Sequence, residues 1–177
     1  VKRLEGSCDA EAAFSALCGN SENAFWLDSS RPGRGARFSF LGDADGPHGA
    51  LFTYQLGTGG VRIERNGESR LQPGSIFDCL RTELSDLAPT PGALPFDFPC
   101  GFAGYFGYEL KAECEAIESP RAEHPDAAFV FADRMVAIDH LAEHTYLLAL
   151  GDPGGGSSAE RWLEETVKAL RGQGTTE

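Results

Sequence analysis

The sequence predicts an α+β fold, mostly antiparallel β-sheet with flanking helices. Three observations carry this. Short apolar or alternating runs bounded by Gly, Pro, Asn and Asp recur along 24–65 and 127–150, as in hairpin-connected strands. Apolar residues at helical spacing are confined to three stretches, near each end and in the middle. Strands and helices do not alternate, so the pattern is not that of a parallel βαβ sheet.

The elements follow in order. Over 7–19, Ser7 or Asp9 can cap, Phe14, Leu17 and Cys18 share a face, and Gly19 ends a short amphipathic helix. The apolar run 24–29 reads as a buried strand with a polar end. After an Arg/Pro/Gly turn, 37–42 alternates as a second strand, 51–56 is a third and 61–65 a fourth. Asn66-Gly67 is a strong hairpin signal. Pro73-Gly74-Ser75 opens a helix carrying Ile76, Phe77, Leu80, Leu84 and Leu87. The Pro-rich stretch 89–99 is a loop, 102–110 an aromatic- and glycine-rich strand, and 109–126 a charged loop. Two strands, 127–139 and 144–150, are joined at 141–143. A linker, 151–158, leads to a terminal helix over 159–171, with Trp162, Leu163, Val167 and Leu170 on its apolar side. The domain division is 1–150, a linker 151–158, and a helical end 159–177.

The chain has 177 residues, 41% of them hydrophobic and 24% charged, which fits a globular protein with a sizeable core. No apolar run approaches the ~18 residues of a membrane span, and the first residues lack the apolar core of a secretory signal. The net charge of −12 opposes binding to nucleic acid or an anionic bilayer, since both rest on Lys and Arg. Arg31, Arg34 and Arg37 form one local basic cluster, enough for a single carboxylate or phosphate. Five cysteines, none at C-x-x-C spacing, suggest neither a disulfide framework nor a zinc site, and fit a reducing cytoplasm. Cys114, between Glu113 and Glu115, is a poor nucleophile.

Signatures of chemistry are sparse. There is no G-x-S-x-G elbow, Walker A loop or H-E-x-x-H. His140 and His144 bracket a turn and read as exposed polar residues. Gly101, Gly104 and Gly107 mark bulges or close backbone approach; core packing is the default for Tyr105, Phe106 and Tyr108, and lining a ligand pocket the sharper alternative. The carboxylates of 109–126 read as a solvated loop. No catalytic or metal-binding residue is assigned. One niche stands out, where the strand ending Leu27-Asp28-Ser29-Ser30 meets the one opening Arg37-Phe38-Ser39. A hydroxyl, a guanidinium and an aromatic face there suit a zwitterionic aromatic amino acid. From chemistry alone, an ordinary hairpin with surface polar residues is the commoner reading.

Three motifs in order are more specific. Phe25-Trp26-Leu27-Asp28-Ser29-Ser30, Arg37-Phe38-Ser39-Phe40-Leu41-Gly42 and Gly104-Tyr105-Phe106-Gly107-Tyr108-Glu109-Leu110-Lys111-Ala112-Glu113-Cys114 resemble the N-terminal region of the chorismate-utilising subunit of aminodeoxychorismate synthase and its sister, anthranilate synthase component I. Phe131-Ala132-Asp133-Arg134 and Tyr146-Leu147-Leu148-Ala149-Leu150 continue the likeness over nearly the whole chain. The resemblance implies a tryptophan pocket with Leu27, Ser29, Arg37 and Phe38 as ligand-binding residues. Asp28 stands where the family usually has Glu or His, and an aromatic often found before the Arg-Phe pair is missing. The family's chorismate-contacting and Mg²⁺-binding residues belong to a C-terminal half. The expectation is therefore a cytoplasmic, truncated piece, about half of a larger enzyme and inactive alone, without its own cofactor. Its expected partners are a chorismate-binding catalytic domain, a glutamine amidotransferase and L-tryptophan. The start at Val1, with Met135 the single Met, fits a processed product, a start read as Val, or such a piece. A stand-alone aromatic amino-acid module, a scaffold for a separate catalytic domain, and the anthranilate branch remain as alternatives.

Overall fold

A computed structural model describes residues 1–29, 36–85, 87, 93–111, 123–151 and 157–172. Arg31, Arg34, Cys114 and the acidic residues Glu113, Glu115 and Glu118 lie outside them, as does most of the 151–158 linker. The elements are β1 (Lys2–Glu5), α1 (Ala10–Cys18), β2 (Ala24–Leu27), β3 (Phe38–Asp43), β4 (Ala50–Tyr54), β5 (Gly60–Arg65), β6 (Glu68–Pro73), α2 (Ile76–Ser85), β7 (Gly101–Phe106), a 3-10 turn (Tyr108–Leu110), β8 (Ala127–Ala132), β9 (Arg134–Asp139), β10 (His144–Ala149) and α3 (Ser157–Gly172).

The strands form two five-stranded sheets, in the orders β1-β10-β9-β3-β2 and β6-β5-β4-β8-β7. Every described pairing is antiparallel. This is the α+β architecture expected. One face of the first sheet (Leu41, Val136, Ile138, Leu147) packs on α1 and α3, with Ala13, Val167 and Leu170 buried between them. Its opposite face (Phe38, Phe40, Met135, Ala137, Tyr146, Leu148) is covered by Leu94, Phe96, Phe98 and Cys100. The second sheet buries Phe52, Val61, Ile63, Phe129 and Phe131 against Ile76, Cys79 and Leu80 of α2.

Local chemistry explains most boundaries. Asp9 caps α1, its Oδ1 accepting the Ala12 N–H at 2.7 Å. Asn66 (φ 53°) and Gly67 (φ 78°) form the two-residue β5–β6 hairpin, the left-handed turn that an Asn-Gly pair favours. Ser75 Oγ accepts the Phe77 N–H at the start of α2. Burial pushes the Cys18 and Cys100 thiols up to about 12.

Several expectations need correction. The run 24–29 is not a buried strand: β2 lies at the sheet edge with Trp26 and Leu27 exposed. An apolar run at a sheet edge has the same composition as one buried on both faces. The run 127–139 is two strands, β8 and β9, in different sheets, broken at Asp133. β1 and β6, too charged to stand out, went unread as strands. Tyr105, Phe106 and Tyr108 are exposed, not core. The strand predicted over 102–110 ends at Phe106.

Gly104 is the close approach anticipated. A Cβ there would lie 2.0 Å from the Ala128 carbonyl oxygen of the neighbouring strand. Gly104→Ala should destabilise the fold by about 1–3 kcal/mol through overpacking, read as a lower urea midpoint at unchanged slope.

Candidate ligand-binding site

β2 pairs with β3 so that Leu27 faces Phe40, and β3 pairs with β9 so that Phe38 faces Asp139. These two pairings bring residues about a hundred positions apart to one end of the first sheet.

Ser39 is the hub. Its hydroxyl, fully buried, accepts the Ser29 N–H at 2.9 Å, donates to Asp28 Oδ1 at 2.9 Å and lies 2.7 Å from His140 Nε2. A hydroxyl has one proton and two acceptor lone pairs. With the proton given to Asp28, His140 must donate through an Nε2–H. The hydrogen bonds thus fix the tautomer of the imidazole and pin the backbone of Ser29.

Arg37 is engaged differently. Its Nε and one terminal nitrogen grip both oxygens of Asp139, at 2.9 and 2.6 Å. Asp139 is buried, and its Oδ1 also accepts the N–H groups of Leu141 and Ala142. The Arg37 hydrogen bond, aided by those two amides, holds the Asp139 carboxyl below the usual carboxylate range despite burial. The guanidinium also lies 4.8 Å from the ring centroid of Phe38.

Of the four residues expected to form a pocket, Arg37 and Phe38 are in contact. Ser29 is tied in through Ser39. Leu27 is half-exposed on the strand edge. The bidentate grip on Asp139 occupies the fork expected for a ligand carboxylate. Asp139 and His140 were missed as site residues: an Asp-His pair closing a strand was the available signal, but the β3–β9 pairing that brings it to Ser39 has no one-dimensional pattern. His140 was read as exposed and is instead half-buried against Ser39. Two clefts of about 570 Å³ open elsewhere, one beside the β5–β6 hairpin and one between β1 and the end of α3.

The chain is 45% identical, over 168 residues, to the aminodeoxychorismate synthase of Streptomyces pristinaespiralis. It is homologous to one segment of that enzyme. The alignment takes in 92% of this chain and 23% of the synthase. The aminodeoxychorismate synthase of Streptomyces griseus is 38% identical over 177 residues, covering 98% of this chain and 24% of the relative. The chain thus spans about a quarter of the length of these aminodeoxychorismate synthases. The fold matches the crystal structure of anthranilate synthase component I from Streptococcus pneumoniae with a TM-score of 0.55 at 20% identity, over 80% of this chain and 31% of that one. No family profile matches the chain.

The Asp139 pair makes a signed prediction. A carboxyl whose folded pKa is lowered stabilises the fold above its unfolded value of about 3.9, and that stability is lost as pH falls through the lowered folded value. Stability of the wild type, measured by urea titration, should therefore fall more steeply below about pH 5 than that of Asp139→Asn. Parallel acid limbs would show that Asp139 is not a source of the acid sensitivity.

Proposed function

We propose that this chain is a supporting and regulatory domain of an aminodeoxychorismate synthase-type enzyme. The reaction it serves converts chorismate to 4-amino-4-deoxychorismate for p-aminobenzoate and folate synthesis. One observation carries the reading: identity to the synthases runs over nearly all of this chain but only about a quarter of theirs. The chorismate- and Mg²⁺-contacting groups belong, on this reading, to a separate catalytic domain, with a glutamine amidotransferase supplying ammonia. The purified chain should form no aminodeoxychorismate from chorismate, Mg²⁺ and ammonia, assayed by chromatography. Turnover would overturn the proposal.

The character of the sheet edges supports two places for such a partner. Proteins blunt open edges with charge and Pro. β1 carries Lys2, Arg3 and Glu5, and β6 carries Glu68, Arg70 and a terminal Pro73. β2 (Ala-Phe-Trp-Leu) and β7 (Gly-Phe-Ala-Gly-Tyr-Phe) carry no charge. Their exposed side chains are large: Trp26 37%, Leu27 49%, Tyr105 47% and Phe106 51%. Phe106 stacks on Phe77 of α2, widening the patch. Edge strands without charge and bearing aromatic side chains suit an apolar protein partner. The isolated chain should self-associate in analytical ultracentrifugation, and Leu27→Lys with Phe106→Lys should return it to monomer. A wild type that is monomeric throughout would remove the support for docking at these edges.

A second reading, an aromatic amino-acid site, draws on the ring of Phe38 and on the backbone of Ser29 held by Ser39, with the Arg37 fork taken by Asp139.

A further inference from the structure

The β5–β6 hairpin turns on Asn66 and Gly67, two residues whose groups can react with each other. Asn66 is exposed at φ 53°, and Gly67 follows at φ 78°. An Asn side-chain amide is open to attack by the main-chain nitrogen of the next residue, which closes a five-membered imide. Two features obstruct that attack: a side chain on the next residue, and a hydrogen bond that holds its N–H. Gly67 has no Cβ, and nothing lies within 4 Å of where one would stand. Among the described residues, no hydrogen bond takes the Gly67 N–H.

The chain's other two asparagines are placed differently. Asn20 precedes Ser21, whose N–H donates to the Cys18 oxygen at 3.0 Å. Asn23 precedes Ala24, which is paired in β2 with Asp43.

Asn66 also holds part of the fold. Its Nδ2 donates to the Pro47 main-chain oxygen at 3.3 Å, tying the hairpin of the second sheet to the β3–β4 connection. Asn66 borders the cleft beside the hairpin, together with Asp45, Glu64 and Glu68. Beyond the turn, Arg65 and Arg70 both reach Glu83 of α2, at 3.2 and 3.6 Å.

We propose that Asn66 is a site of spontaneous modification whose product loosens this hairpin. The Gly67 nitrogen attacks Asn66 Cγ. The N–Cγ bond forms, the Cγ–Nδ2 bond breaks, and the amide leaves as ammonia with the Gly67 proton. Water then opens the imide. Opening at Cγ leaves Asp; opening at the main-chain carbonyl leaves an isoaspartyl link, one carbon longer in the backbone. Either product exchanges the amide donor for a carboxylate, which cannot donate to the Pro47 oxygen. It also adds negative charge beside Asp45, Glu64 and Glu68. The longer link breaks the Arg65–Glu68 register that a two-residue turn sets.

The test incubates the whole folded chain in warm, mildly alkaline buffer and follows tryptic peptides by mass. Trypsin isolates Asn66 in the peptide 66–70, apart from Asn20 and Asn23. Conversion of amide to acid should be about tenfold faster there than at Asn20 or Asn23, because the attacking nitrogen is adjacent and unobstructed. An isoaspartyl methyltransferase should label part of the product. Conversion at Asn66 no faster than at the other two, or seen only after unfolding in urea, overturns the site. Asn66→Asp supplies one product directly. It should speed amide hydrogen exchange over 69–72 about fivefold, as loss of one hydrogen bond implies. Exchange equal to that of the wild type overturns the loosening.

Discussion

One buried residue, through its carboxylate and its main chain, joins the two sheets. Asp133 sits where the chain leaves β8 in the second sheet and enters β9 in the first. Its Oδ2 accepts the His48 N–H at 2.8 Å, and its main-chain oxygen accepts the Leu150 N–H at 2.7 Å. The β3–β4 connection and the end of β10 are thereby fastened to the same residue. Burial pushes the Asp133 carboxyl above its ordinary range, opposed by the His48 amide and by Arg134. Space is as tight as charge: a Cβ at Gly46 would lie 1.7 Å from Asp133 Oδ1. Only a residue without a side chain lets the connection pass. The buried acid fixes the β3–β4 connection, while the main chain of the same residue fixes the end of β10.

The site follows from that joint. With β9 set beside β3, Phe38 faces Asp139 and Ser39 faces Ile138. Strand alternation then divides the neighbourhood. Phe38 and Phe40 join the ring-lined face, while Leu41 joins the face covered by α1 and α3. The polar groups stand at the end of the sheet where these faces meet. Two side-chain networks hold them there, Ser39 with Asp28 and His140, and Arg37 with Asp139, and the His140 N–H donating to the Arg37 main-chain oxygen at 3.0 Å joins them. The first orients a hydroxyl and an imidazole; the second neutralises a buried acid.

This division also marks what could be read from the sequence. The hairpin at Asn66-Gly67, the cap at Asp9 and the apolar stripes of α2 and α3 are local, and their chemistry is visible in a few adjacent residues. The niche of Ser29, Arg37 and Phe38 was legible for the same reason: β2 and β3 are neighbours in sequence and in space. Asp139 and His140 were not, because β9 reaches β3 from a hundred residues away. The break at Asp133 was hidden inside an apolar run that contains both β8 and β9. Edge and centre also looked alike, since β2 and β8 are both apolar and only the sheet order distinguishes them.

The ring-lined face differs from the helix-covered one in a way that bears on regulation. Aliphatic residues interlock Leu41, Val136, Ile138 and Leu147 with α1 and α3, and helices move as units. The ring face is closed by the irregular run 93–100, anchored by the Cys100 N–H on Met135 Sδ at 3.1 Å. That cover is not isolated. Asp97 alone separates Phe96 from Phe98, and Phe98 touches Phe25 on the unprotected edge strand β2. Two residues further on, the chain bends at Cys100 and enters β7, the other unprotected edge. Phe96 and Phe98 therefore link the ring-lined face to both of these edge strands. Coupling between two sites needs an element with two arrangements that both sites bias. The 93–100 run supplies the contiguous path from the ring-lined face to β7, in the one arrangement described.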